Sequence, residues 1–391
     1  MKSQRAFGAG LVVLMTGCAI YSAASGSAGR CAPEVSFRVS LRDTDLSPLD
    51  RERLLGARGD FRPGETAFLP PGQPFEITLA GPAASLALEP RAAWLDAGGS
   101  FTRERARSIR GVAPPRAGMH ALLATEADAE GGRTTHRLAL LVLLEAERAA
   151  PAKKDRLCAL AVAGEKLGDY PDPAKAKNSR RVREHPARYA PPRFFARIAP
   201  ENENLALTDE ISLGQMIGFI GNRREGKGTE RHTHVFPVSR PLIQKLDRLA
   251  HALREQGLAF KHLAITSGFR TPRYNASIGG ASHSRHIYGD AADIYIDDGG
   301  DERMDDLTGD GKADRADALL IANALRALEL AGEVVPGGIG VYEFRGADSC
   351  FAYIHIDCRA FVTRWGSAPG RRGKRVGLDW WPPEEYREDE E

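Results

Sequence analysis

The decisive stretch is SRHIYGDAAD, residues 284–293, answered downstream by YIHID, residues 353–357. The first sets His286 and Asp293 seven positions apart (293 − 286), with Gly289, Ala291 and Ala292 between them. Residues this small let the backbone fold so that the imidazole and the carboxylate converge. In the second, His355 and Asp357 are two apart, so on a strand both point to one face. Two imidazoles and one carboxylate, with a fourth position left for water, make the ligand set of a catalytic zinc site. His286, Asp293 and His355 are the expected zinc ligands.

Ser284, His286, Gly289, Ala291 and Asp293 fit S-x-H-x-x-G-x-A-x-D. Around them stand SGFRTPRYN (residues 267–275), GGA (279–281), GGIGVY (337–342), HID (355–357) and RWG (364–366). Taken in this order, the motifs resemble those of the zinc D-Ala-D-Ala carboxypeptidases and murein endopeptidases, the VanY-, MepA- and hedgehog-like metallopeptidases, over residues 195–366. The resemblance implies an α+β zinc domain that hydrolyses D-amino-acid-containing peptide bonds of peptidoglycan during cell-wall remodelling. Either a D,D-carboxypeptidase or a murein endopeptidase fits, with peptidoglycan stem peptides as substrate. It also implies that Arg270 pairs with a substrate carboxylate, for which a guanidinium is suited. Tyr274 and Ser284 are expected along the same substrate wall. Some relatives carry a catalytic acid or histidine two or three residues before the last zinc ligand; here Tyr353 and Ala352 stand there. Asp357 is then the expected general base, with orientation of His355 as its alternative role, and His283 is a more remote candidate. The competing function class is a non-catalytic peptidoglycan-binding lipoprotein on the same fold.

The remainder of the 391 residues is organised around that domain. A formal charge of +2 lacks the basic excess of a dedicated nucleic-acid binder. Lys2 and Arg5 precede a short apolar run that ends in MTGC, residues 15–18. This resembles a bacterial lipobox, so residues 1–18 read as a lipoprotein signal with Cys18 the lipidated position; an ordinary secretory signal is the alternative. Ala19 after the cysteine suggests an exported, periplasmic protein held at the outer membrane by its lipid. Cys31, Cys158, Cys350 and Cys358 remain and permit three pairings; Cys31–Cys158 and Cys350–Cys358 are the pairs considered.

Residues 19–32 read as a tether. Residues 33–147 alternate short apolar strands with Pro/Gly turns, the pattern of an all-β immunoglobulin-like sandwich. Residues 148–194 read as a proline-rich connector carrying GEKLGDYPD. His232 and His234 form an H-x-H pair in a polar, glycine-rich loop ahead of the core motif and are not expected to bind zinc. Residues 241–256 repeat leucines at helical spacing. Within an insertion at 297–331, DLTGDGKADRAD (residues 306–317) fits an EF-hand-type calcium loop. Its ligands would be Asp306, Thr308, Asp310, the Lys312 carbonyl, Asp314 and Asp317, with a structural calcium beside the catalytic zinc. Residues 367–391 read as a flexible tail.

Overall fold

In this computed structural model the described residues are 35–42, 45–81, 85–89, 91–127, 132–176, 179–217, 231–345 and 350–366. Cys18, Cys31, the expected tether and the expected tail lie outside them. The described chain is mostly β, with few helices.

The first part holds two sheets. One orders strands Asp60–Phe61, Ser36–Leu41, Pro74–Ala80, Ser108–Val112 and Ser100–Arg105; the other orders Thr66–Leu69, Arg133–Val142, Gly118–Ala127 and Ser85–Glu89. Alternation in the sequence sets which face is buried: Phe37, Val39 and Leu41 point inward on one strand, and Phe75, Ile77 and Leu79 on its antiparallel neighbour.

Residues expected to form a connector fold instead into a three-stranded antiparallel sheet, Glu147–Ala149, Arg156–Val162 and Glu165–Pro171. The reason is the alternation in RLCALAV, which buries Cys158, Leu160 and Val162. The adjoining strand buries Leu167 and Tyr170 completely.

The sheet that carries the site orders Leu263–Ser267, Ala291–Ile296, Cys350–Asp357, Gly338–Arg345 and Thr363–Gly366. Its first four strands are antiparallel and its last pair is parallel. The register sets Asp293 opposite His355, and His355 opposite Gly340. Alternation then divides the sheet. Ala292, Ile294, Ile296, Ile339, Val341, Ile354 and Ile356 are buried in the apolar core. Asp293, Tyr353, His355 and Asp357 take the other face.

Helices Arg240–Glu255 and Arg315–Leu330 support this sheet. The first buries Leu242, Ile243, Leu246, Leu249 and Leu253 at helical spacing. Both helices also deliver charge to the sheet. Lys245 Nζ binds Glu329 Oε1 at 2.9 Å and the carbonyl of Asp357 at 2.7 Å. Arg364, of the RWG motif, binds the other Glu329 oxygen and the carbonyl of Gly337. The Gly337 N–H in turn donates to Glu329 Oε1. The three side chains are 3% exposed or less, so each cation relies on Glu329. Removing one member of a buried ion cluster leaves uncompensated charge, typically at a cost of about 3–5 kcal/mol. Glu329→Ala is expected to lose about that much stability, read by chemical denaturation, while an exposed ion-pair variant such as Glu184→Ala leaves it nearly unchanged.

Candidate metal centre

His286 lies in a single 3-10 turn, Arg285–Tyr288, that closes on Gly289 in the left-handed conformation at φ +75°. A Cβ on Gly289 would lie 2.6 Å from the backbone oxygen of Pro237, so the motif's glycine is fixed by both backbone angle and space. Ala291 opens the following strand opposite Asp357 and is fully buried.

Three ligand atoms meet on the polar face of the sheet. His286 Nε2 is 3.2 Å from Asp293 Oδ1 and 3.1 Å from His355 Nδ1, and His355 Nδ1 is 2.9 Å from Asp293 Oδ1. Among the described residues this is the one group of His, Cys, Asp or Glu whose ligand atoms converge so closely, and all three side chains are buried. Zinc–ligand bonds of about 2.0–2.1 Å in a tetrahedron separate the ligand atoms by about 3.3 Å. The triangle therefore fits one small tetrahedral cation with a position to spare.

Each ligand is turned by a second partner. His286 Nδ1 lies 2.7 Å from the carbonyl of Gly268, which fixes that nitrogen as the protonated one and leaves Nε2 for the metal. Gly268 has no alternative here, because a Cβ on it would fall 2.0 Å from the carbonyl of Met216. Asp293 gives Oδ1 to the imidazoles, while Oδ2 accepts from Arg270 Nη2 at 2.6 Å. Arg270 Nε is itself held by Ser267 Oγ at 2.7 Å. Burial opposes ionisation of Asp293, yet the two imidazoles outweigh it and hold the carboxyl below the usual range.

The expectation for Asp357 needs correction. It does share the face of His355, but it meets Nε2, at 3.3 Å, on the side of the ring away from the convergent Nδ1. It is completely buried. Its oxygens accept from the Arg359 guanidinium at 2.7–3.0 Å, from the Gly338 N–H at 2.8 Å and from the Arg359 N–H at 3.1 Å. Burial would raise its pKa, but Arg359 and His355 win and hold it well below the ordinary value. A carboxylate with its lone pairs so occupied orients His355; it is not placed to take a proton from an attacking water.

Aromatic side chains flank the centre. Trp365 packs 5.1 Å from the His355 ring and donates to the Tyr342 hydroxyl at 2.6 Å, and Tyr342 stacks on Tyr353 at 4.8 Å. The GGIGVY glycines make this possible: a Cβ on Gly340 would lie 2.4 Å from Trp365 Nε1. Tyr274 stacks on His232 at 4.2 Å. His232 Nε2 accepts the Thr271 N–H at 3.2 Å, at the turn that follows Arg270. Ser284 begins the His286 turn, half-buried, without a side-chain capping bond. His283 lies on the far side of that turn, against Tyr189, and does not join the three ligands. Sequence reading quoted Gly268 and Trp365 within motifs without giving either a role, and missed Arg359; the close spacing of Asp357 and Arg359 was the available signal for it.

The loop at 306–317 is also formed. Asp306 accepts from the N–H groups of Gly309, Asp310 and Gly311, and Asp317 from those of Leu307, Thr308 and Asp314. Gly311 sits at φ +83° at the sharp turn. The carboxylates of this loop do not converge as the His-Asp-His group does.

With this geometry in hand, known proteins can be compared. Residues 221–346 match the Peptidase M15 family model. The likeness to these peptidases therefore holds over that segment, which contains His286 and Asp293 and stops short of His355. Fifty residues are 42% identical to the zinc D-Ala-D-Ala carboxypeptidase of Streptomyces albus G, covering 13% of this chain and 18% of that protein. The match thus spans about a fifth of that relative's length. Together with the His-Asp-His group, the M15 segment supports zinc as the metal and a peptidase as the chemistry.

Two outcomes follow from the second partners. Asp357→Asn weakens zinc binding by about 10- to 100-fold, the usual cost of losing such a contact, measured by competition with a chelating dye. His232 is pushed down to about 4, chiefly by burial and then by Arg270. The unfolded chain takes up this proton first, near pH 6.5, so stability falls as pH drops from about 6.5 to about 4. NMR titration of His232 should give a midpoint near 4, and His232→Gln should flatten that part of the stability curve.

Proposed function

We propose that this protein is a zinc-dependent peptidase acting on D-amino-acid-containing peptide bonds of peptidoglycan stem peptides, as a D,D-carboxypeptidase or murein endopeptidase in cell-wall remodelling. The observation that carries the reading is the convergence of His286 Nε2, Asp293 Oδ1 and His355 Nδ1 inside an M15 segment. The D-Ala-D-Ala specificity of the similar Streptomyces protein supports the substrate class.

When bound, the zinc supplies a Lewis acid and a water of lowered pKa. The chain's own residues do the rest. Arg270 binds Asp293 through Nη2 and Ser267 through Nε, so its remaining nitrogen, Nη1, is the group to pair with a substrate carboxylate. Arg270 is 18% exposed in its side chain, which leaves that edge reachable. Tyr274, Tyr342 and Trp365 form apolar walls that orient the peptide, and Ser284 contributes a half-buried hydroxyl at the start of the His286 turn.

The N-terminal sheets are read as an immunoglobulin-like module, and the leader as a lipid anchor at Cys18 that holds the exported chain at the outer membrane. The loop at 306–317 is read as a structural calcium site: its backbone N–H groups fix Asp306 and Asp317 in place, and the helix that follows ends in Glu329 beneath the sheet.

Incubation with a stem pentapeptide and with a cross-linked muropeptide, followed by mass spectrometry, tests the function. Cleavage of one or both, abolished by chelation and by His286→Ala, is expected. Arg270→Lys loses both Nη1 and the planar hold on Asp293, and at saturating zinc its kcat/KM should still drop by about 10- to 100-fold. An intact wild-type protein that holds zinc and cleaves neither substrate would contradict the reading. Asp310→Ala should abolish calcium binding in calorimetry without loss of zinc.

A further inference from the structure

Strand Cys350–Asp357 turns three polar side chains to the site in succession, Tyr353, His355 and Asp357. The two ring nitrogens of His355 serve opposite neighbours. Asp357, two residues after it, meets Nε2, so Nδ1 and the convergent ligand atoms lie on the side of Tyr353, two residues before it. Across the sheet Asp293 is paired with His355. Tyr353 is therefore the diagonal neighbour of Asp293, a separation that an aromatic side chain can bridge. The charges that act on the phenol agree with this placement. Burial raises the pKa of its hydroxyl, the Asp293 carboxylate raises it further, and Arg270 works against both.

The ring is held in place from the far side. Tyr342 lies opposite Tyr353 in the register, and the two rings stack at 4.8 Å with their planes 14° apart. The Tyr342 hydroxyl accepts from Trp365 Nε1 at 2.6 Å, and Trp365 packs on His355 itself. Tyr353 is only half-buried, so a peptide lying over the ligands can reach it.

Other polar groups on this face have different tasks. Asp357 is held ionised by Arg359 and has no proton to donate. Trp365 gives its one N–H to Tyr342. Arg270 uses Nε and Nη2 on Ser267 and Asp293 and keeps Nη1 for a substrate carboxylate. Peptide hydrolysis makes one more demand. Negative charge builds on the carbonyl oxygen under attack, and a preorganised donor aimed at that oxygen stabilises the transition state more than the bound substrate. A neutral phenol supplies one O–H donor.

We propose that Tyr353 is a catalytic residue whose hydroxyl donates a hydrogen bond to the scissile carbonyl oxygen as that oxygen becomes negative. The assignment rests on the peptidase reading. The phenol keeps its proton throughout, so its part is electrostatic and it exchanges no atom with the substrate.

The test uses the full, zinc-loaded protein and Tyr353→Phe, which keeps the ring and its stack and removes only the hydroxyl. With a stem pentapeptide, kcat should fall by about 100-fold, the usual loss of one such donor, while KM and zinc content stay nearly unchanged. Two ligands are then compared by calorimetry: a phosphinate analogue of a D-amino-acid dipeptide, which carries a tetrahedral oxyanion, and an uncleavable peptide with a planar amide. Tyr353→Phe should weaken the phosphinate by about the factor lost from kcat/KM and leave the Kd of the planar peptide unchanged. A merely structural role would weaken both ligands alike, and that result would overturn the proposal, as would a kcat for Tyr353→Phe close to that of the wild type. The two readings fail separately. A wild-type protein that cleaves nothing yet binds the phosphinate through Tyr353 removes the peptidase reading and keeps the oxyanion contact; cleavage that survives Tyr353→Phe does the reverse.

Discussion

Two imidazoles and a carboxylate can crowd within about 3 Å of each other in a buried space only if each is aimed by a partner it cannot leave. Here the aiming groups are the Gly268 carbonyl for His286, Arg270 for Asp293 and Asp357 for His355. Asp357 is held in its turn by Arg359 and by the Gly338 N–H. The result is a preorganised ligand triangle, each member held from outside by its own partner.

The supports for this arrangement come from the whole described chain. Beneath the sheet, Glu329 collects Lys245 and Arg364 and ties both long helices to the strands bearing the site. Behind the catalytic turn, Tyr170 donates to the Ile287 carbonyl at 2.9 Å, and Arg285 pairs with Asp290 while donating to the Arg188 carbonyl. Arg188 is bound by Glu52, and Arg53 reaches the Ala190 carbonyl, so a helix of the N-terminal part braces the segment on which the turn rests. The N-terminal β structure is thus connected to the metal centre by a short series of charged contacts, whatever else it touches.

The ligands were legible because their chemistry is carried by residue type and spacing: S-x-H-x-x-G-x-A-x-D names two of them, and strand alternation in YIHID names the third. The Arg240–Glu255 helix was legible from pattern as well, since its leucines recur at helical spacing. For Asp357 two roles stayed open, general base or support of His355. Alternation says that two side chains share a face, but not which nitrogen of a ring the second will meet, and Arg359 settles that through contacts no period encodes. The supposed connector was misread because Pro and Lys around it masked a short alternating run. Trp365 stood in the RWG motif, but its packing was not legible for another reason: its place depends on the glycines of a strand that is adjacent in space and 25 residues away in sequence (365 − 340).

The central claim is that His286, Asp293 and His355 together hold one zinc ion. Elemental mass spectrometry of the purified protein after dialysis against zinc and removal of excess metal tests it most directly. The account predicts about one zinc per chain in the wild type and loss of that zinc in each of His286→Ala, Asp293→Ala and His355→Ala, with the fold of each variant retained by circular dichroism. A wild-type protein that retains no zinc, or a stoichiometry that survives replacement of any one of the three, would contradict it.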